Sequence, residues 1–330
     1  MNNPPASAAP VARSEPRLPL ADPLVPTLFH EDWWLDVASG GRWREVEVRL
    51  DHTRVGRLPF LATRHCGWTA LGMPPLTHLL GPAVDEGSGN ASTRMARRLR
   101  LQRALIDQLP RSANFRQTLH YANPDAIAFQ AAGFIARVQF TYEIAPADER
   151  TLWQGLAGNT SKIIRKSQNE EKQEDWPEPE AFAAFFAANL EAKGATNFYQ
   201  NAVIARVCGE ALARGRGRII AARNAGGGRA GAIFVAWDQR AMYYLMASRD
   251  PATSRAGTVG ALIWEAIRHA ATHGLRFDFD GVASAGAARF YAGFGGQVRP
   301  RFVVIREGGL FRFAQCVRRR LRGQHANNFV

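Results

Sequence analysis

Two carboxylates, Asp278 and Asp280, stand two residues apart in the segment Arg276-Phe-Asp-Phe-Asp280. Read as a strand, its period of two sends both acids to one face and Phe277 and Phe279 to the other. Beside a reactive carbonyl, one such acid takes a proton from an attacking amine or hydroxyl while the other orients it. The same pair also fits an ion pair with Arg249, Arg276 or Arg289. Tyr291 lies nearby in Arg289-Phe-Tyr-Ala-Gly293, a phenol able to donate a proton or simply to pack. Upstream, Ser254, Arg255, Gly257, Thr258 and Gly260 open an apolar-striped segment. Small residues at a helix entrance leave backbone N–H groups and the positive end of the dipole for a pyrophosphate, although a glycine pair there serves packing equally well. Lys162, Arg165 and Lys166 form a cationic cluster suited to a phosphate-bearing acceptor or an RNA acceptor stem, or to a solvated surface.

Other chemistries find less support. Cys66, Cys208 and Cys316 are far apart and lack metal-ligand spacing, so neither a disulfide framework nor a zinc site is expected. His269 and His273 are spaced for one helix face but have no third ligand, and no metal site is expected there. GxSxG, P-loop and HExxH signatures are missing. The formal charge of +13 favours an anionic partner: a nucleotide-bearing cofactor, RNA or an acidic membrane surface.

The elements that must position these residues follow from patterning. With 330 residues and 46% hydrophobic content, two domains are the expectation. Residues 44–50 and 55–62 read as a hairpin, and residues 218–223, 230–237 and 241–248 as three consecutive strands. Helices are expected over 93–109, 148–167, 179–192 and about 254–273. The segments around Phe129 and Tyr291 match, each with an aromatic residue four positions before a glycine (Gly133, Gly295). Each reads as a short helix followed by a strand, at 137–144 and 297–305. No apolar run approaches the ~20 residues that span a bilayer. Residues 1–24 look like a disordered leader without a secretory signal, which points to the cytoplasm. The basic tail, 309–330, is expected to pack back on the first domain; lying on anionic lipid or RNA is the alternative.

The order hairpin, strand, glycine-entered helix, strand, short aromatic helix and strand resembles the GNAT acyltransferase core. Phe29-His-Glu-Asp-Trp-Trp-Leu35, Gly56-Arg-Leu-Pro59, Met73-Pro-Pro-Leu-Thr77 with Gly81, Ile164-Arg-Lys-Ser167 and Phe277-Asp-Phe-Asp-Gly281 resemble the Fem-type tandem branch. The resemblance covers about Phe29 to Arg306 and implies an α/β fold of two tandem GNAT-like domains, each a twisted mixed sheet flanked by helices. The expected division is 25–147, non-catalytic and on the acceptor side, and 148–308, catalytic. In the GNAT pattern a tyrosine at the place of Tyr291 protonates the departing thiolate, and Phe129 in the first half has no hydroxyl for that task. The implied activity is acyl transfer, with acetyl-CoA or another acyl-CoA as donor and an amine or hydroxyl of an envelope or polysaccharide precursor as acceptor. The glycine signature departs from the usual GNAT spacing, since Arg255 sits one position late. The Fem branch is also similar to enzymes that add amino acids to peptidoglycan precursors from aminoacyl-tRNA. A catalytically silent scaffold binding anionic polymer or membrane is the third reading.

Overall fold

A computed structural model describes residues 22–65 and 67–308. Most of the expected leader and the whole expected tail lie outside the described residues. In the first half, α1 (Asp32–Ser39) precedes the hairpin β1 (Trp43–Leu50) and β2 (Thr53–His65). There follow β3 (Trp68–Gly72), β4 (Ala83–Val84), α2 (Ala91–Asp107), β5 (Asn114–Thr118), α3 (Ile127–Ala131) and β6 (Ile135–Ile144). The second half begins with α4 (Glu149–Gln154), α5 (Gly158–Glu170), β7 (Lys172–Asp175), α6 (Pro179–Glu191) and α7 (Asn201–Ala213). It continues through β8 (Gly217–Arg223), β9 (Arg229–Trp237), β10 (Ala241–Arg249), α8 (Thr258–Thr272), β11 (Arg276–Asp278), α9 (Ala285–Ala292) and β12 (Gln297–Glu307).

The two expected sheets are joined edge to edge into one mixed sheet, ordered β1-β2-β3-β5-β12-β6-β11-β10-β9-β8-β7. The halves exchange their last strands. β12, from the end of the second half, lies between β5 and β6, pairing Ile305 with Arg116 on one side and with Ile135 on the other. β6, from the end of the first half, pairs with β11 at Ile144–Phe277. Neither half closes its sheet without a strand from the other.

Side-chain alternation assigns the two faces. On the back, α2 and α3 cover Leu58, Phe115, Phe129 and Val304, while α5 and α8 cover Ile164, Ile233, Leu262, Phe277 and Phe279. On the front, α6 and α7 pack with Phe29 and Trp34 of the first half over Phe234 and Tyr243. The buried Asp238 carboxylate fixes that seam, accepting the Leu28 N–H at 2.9 Å and the Tyr243 hydroxyl at 2.8 Å.

One expected helix, 148–167, is two. It breaks at Gly155–Ala157, where the Ala157 N–H donates to the Gly293 carbonyl at 2.9 Å. A Cβ on Gly295 would come within 2.4 Å of the Gly155 carbonyl oxygen, so the two glycine turns are pressed together. The second of the two, α5, runs on to Glu170, so Lys162, Arg165 and Lys166 sit within it.

Gly257, the N-cap of α8, is a point of close approach. A Cβ there would lie 2.3 Å from the Ile163 carbonyl oxygen and 3.1 Å from Ser167 Cβ. At Gly260 the nearest atom would be 3.8 Å away. Gly257→Ala is therefore expected to cost about 1–3 kcal/mol by overpacking. Gly260→Ala, inside the helix, is expected to be neutral or to stabilise by about 0.5–1 kcal/mol. Urea midpoints of the two variants against the parent protein measure the difference.

Candidate active site

β10 and β11 run parallel only from Ala241–Arg276 to Tyr243–Asp278. Beyond that point the chain after β11 stays with β6: the Phe279 N–H donates to Tyr142 O at 3.0 Å and the Val282 N–H to Phe140 O at 2.9 Å. β10 stays with β9 as far as Arg249, and its register shifts between Tyr244 and Met246. The strands thus part beyond Tyr243–Asp278, leaving an opening in the ladder between them.

Asp278 and Asp280 belong to the front, and Phe277 and Phe279 to the back core, as the strand period requires. Asp278 is buried. Its Oδ1 accepts the Thr141 hydroxyl at 2.7 Å and the Asp280 N–H at 2.8 Å. The partner of both acids is Arg301 of β12, in place of the expected Arg249, Arg276 or Arg289. One Arg301 nitrogen pairs with Asp278 and the other donates to Asp280 at 3.0 Å. Burial lifts the Asp278 carboxyl to about 6 against the opposing pull of Arg301. Burial by itself would lower the Arg301 pKa, but Asp278 and Asp280 hold it above its ordinary value. Nearby, Arg276 and Arg299 face Glu143 at 3.4 and 3.6 Å.

Asp280 also pairs with Nδ1 of His78, a first-half residue 202 positions away. The Asp280 backbone is left-handed at φ 60°, and so is that of Leu76 at φ 58°, two residues before the histidine. Strain in two non-glycine residues flanking one contact marks that contact as functionally interesting. His78 was not among the residues singled out from sequence, although its segment, Met73 to Thr77, was. Arg301 had a usable signal: it shares a strand face with Val303 and Ile305, so it was due to be buried with an acid.

Tyr291 approaches the opening from the back. Its ring lies 4.4 Å from Phe279, 6.2 Å from Tyr244 and 6.4 Å from Tyr142. Burial, followed by the Asp280 charge, pushes its phenol up to about 12, so at neutral pH it holds its proton. Tyr199, on the front, is raised by burial and by the same carboxylate. Asp280 is therefore within electrostatic reach of a phenol on each face. Phe129, the first-half counterpart of Tyr291, is buried among Phe115 and Phe134.

The expected donor-binding residues are engaged within the protein. Thr258 is fully buried and donates to Glu171 at 2.7 Å, while accepting the Arg255 N–H at 2.8 Å. The Arg255 guanidinium lies 3.3 Å from Glu170, and Ser254 accepts from Arg249 at 3.3 Å. Gly257 and Gly260 face α5, as described above. Lys162 and Lys166 are exposed on the back, and the exposed Arg165 lies 4.9 Å over Trp153. The cationic cluster therefore shares the Tyr291 face and is separate from the His78–Asp280 face. Among the described residues, no cluster of three metal-ligating side chains occurs and no helix is long and apolar enough to cross a membrane.

Residues 159–290 match the family model of an acetyltransferase (GNAT) domain. No curated protein matches the chain. Among solved structures, FemX superposes with a TM-score of 0.61 at 11% identity, covering 82% of this chain and 90% of its own. L-PGS from Bacillus licheniformis gives a TM-score of 0.52 at 11% identity, covering 88% of this chain and 92% of its own. Residues 159–290 thus match a GNAT acetyltransferase domain, and the chain as a whole shares the fold of FemX and L-PGS.

Proposed function

We propose that the protein is an acyltransferase in which donor and acceptor meet through the opening between β10 and β11, the donor from the back and the acceptor from the front. The observation that carries this reading is the convergence of Tyr291 and the His78–Asp280 pair on that opening from opposite faces. Asp280 accepts from His78 Nδ1–H and so selects the tautomer whose Nε2 is free to take a proton. The acceptor amine or hydroxyl loses that proton to Nε2 as its nitrogen or oxygen bonds to the acyl carbon. The carbon–sulfur bond of the thioester breaks, and Tyr291 gives its proton to the departing thiolate. Proton exchange with water then restores both groups. A β10 N–H beyond the last β11 pair polarises the carbonyl. Arg301 and Asp278 hold Asp280 in place.

An acyl-CoA is the donor class that best suits a phenol acid of this kind, and Lys162, Arg165, Lys166 and Arg255 are the cations available to its phosphates. The second reading, an aminoacyl-tRNA donor, draws on the Ile163 carbonyl filling the space beside Gly257, where a pyrophosphate cradle would lie. The acceptor side, and the division into a supporting half and a catalytic half near residue 147, form part of the same proposal. Phe129 in its closed core supports that division.

Two measurements test it. Calorimetric titration with acetyl-CoA and longer acyl-CoAs is expected to give saturable binding. Its failure, together with steeply salt-dependent binding of aminoacyl-tRNA, selects the second donor. With the donor in hand, Tyr291→Phe and His78→Gln are each expected to lower turnover by about 10²–10⁴-fold with donor affinity nearly unchanged. Unaltered rates remove these residues from the mechanism.

A further inference from the structure

The front face of the first half carries an open groove of about 480 Å³ that runs from the His78 segment across β3 to β5. Pro75, Leu76, Phe198 and Tyr199 line one end, and Asn114 and Arg116 the other. Phe198 is 88% exposed, a large aromatic on the groove rim with little to cover it.

The Arg116 end carries two arginines against one described carboxylate, Glu307, that is not in ion-pair contact with either. Arg116 is opposite Ile305 on one side of β12, and Arg137 is opposite Val303 on the other, both on the front. The Arg116 guanidinium is partly buried, and desolvation followed by repulsion from Arg137 lowers its pKa, with Glu307 opposing at longer range. Neither arginine forms an ion pair with a described carboxylate. Beside them, Asn114 Oδ1 is buried without a hydrogen-bond partner. Two clustered cations and an orphan acceptor atom cost free energy unless something anionic, carrying its own donor, occupies the place.

We propose that the acceptor substrate is a small anionic molecule whose carboxylate or phosphate is held by Arg116 and Arg137, with a neighbouring hydroxyl or ammonium donating to Asn114. Its nucleophile lies at the His78 end. Arg301, which anchors Asp280, is four residues from Ile305 on the same strand face, or about 13 Å at the rise of a strand. The acceptor is thus a molecule of roughly sugar-phosphate or dipeptide length, with its anion at one end and its amine or hydroxyl at the other. The apolar floor at Pro75 and Leu76, with the Phe198 and Tyr199 rings, suits a body that presents a flat or aliphatic surface. The His78 end of this inference rests on the acyl-transfer reading; the anion site does not.

The test is calorimetric titration of the full-length protein with paired probes: glucosamine 6-phosphate against glucosamine, and 6-aminohexanoate against hexylamine. At least one anionic probe is expected to bind saturably and about 10-fold or more tighter than its neutral or cationic partner. Whichever anion binds more tightly distinguishes phosphate from carboxylate. Arg116→Gln is expected to abolish the difference, Arg137→Gln to reduce it, and His78→Gln to leave it intact. If Arg116→Gln fails to fold, Arg116→Lys and Arg137→Gln carry the comparison, each expected to weaken the anionic probe alone. Equal affinities within each pair, unchanged binding in the arginine variants, or no saturable binding of any probe overturns the proposal. Anion binding that persists while His78→Gln retains full turnover removes the acid–base reading and leaves the anion site standing.

Discussion

Arg301 is buried on β12, facing the carboxylates of Asp278, at the end of β11, and Asp280, two residues beyond it, both of the same half as itself, yet its strand is embedded between two strands of the other half. Desolvating a guanidinium and two carboxylates costs several kcal/mol per ion, and only close, well-directed pairing offsets it. The geometry that supplies this pairing requires β12 to lie beside β6 in a fixed register, because Arg301 opposite Gln139 and Arg299 opposite Thr141 are what bring the guanidinium to Asp278 and Asp280. A one-residue slip would move Arg301 to the apolar back face. The ion cluster therefore fixes how the two halves join, and the joining in turn creates the site. Asp280 reaches His78 of the first half only because the strand exchange brings the halves' front faces together.

That dependence gives the two acids different surroundings. Asp278, with Thr141, Arg301 and a backbone N–H around it, is a positioning group sealed from the opening. The Asp280 carboxylate is buried as well, but it is the one that reaches His78 of the first half and acts electrostatically on Tyr199 and Tyr291. Two acids on one strand face thus have different tasks because the strand ends between them: the first still lies within the β11 ladder, and the second sits in a left-handed turn beyond it.

Much of the local structure was legible in the sequence because it depends on short-range physics. The stripe of Leu262, Ile263, Ala266, Ile267 and Ala270 placed α8, and the period of two put Phe277 and Phe279 in the core and their acidic neighbours opposite. What was hidden is what depends on distant partners. His78 and Asp280 carry no mutual signal across 202 positions, and nothing in the 297–305 pattern says which half's sheet that strand will complete. The helix expected over 148–167 failed for a similar reason, since Gly155 is pinned by the Gly293–Gly295 turn that follows α9. The glycines before α8 were ambiguous from sequence, where a phosphate cradle and a close backbone approach call for the same residue. Only the position of the Ile163 carbonyl separates the two.

The same distinction bears on why the halves differ although they share an order of elements. In the first half, β3 and β5 make a short parallel pair, as β10 and β11 do, but Phe129 fills the place of Tyr291 and packs with Phe115 and Phe134 into a closed core. A phenol there would need a partner for its hydroxyl or leave it buried and unsatisfied. Removing the hydroxyl relieves that cost and closes the back of the first half. On its front, no helix among the described residues packs over Arg116 and Arg137. One half thus contributes the parting of β10 and β11, the other the face that carries Arg116 and Arg137, and the exchanged strand that carries Arg301 lies between the two.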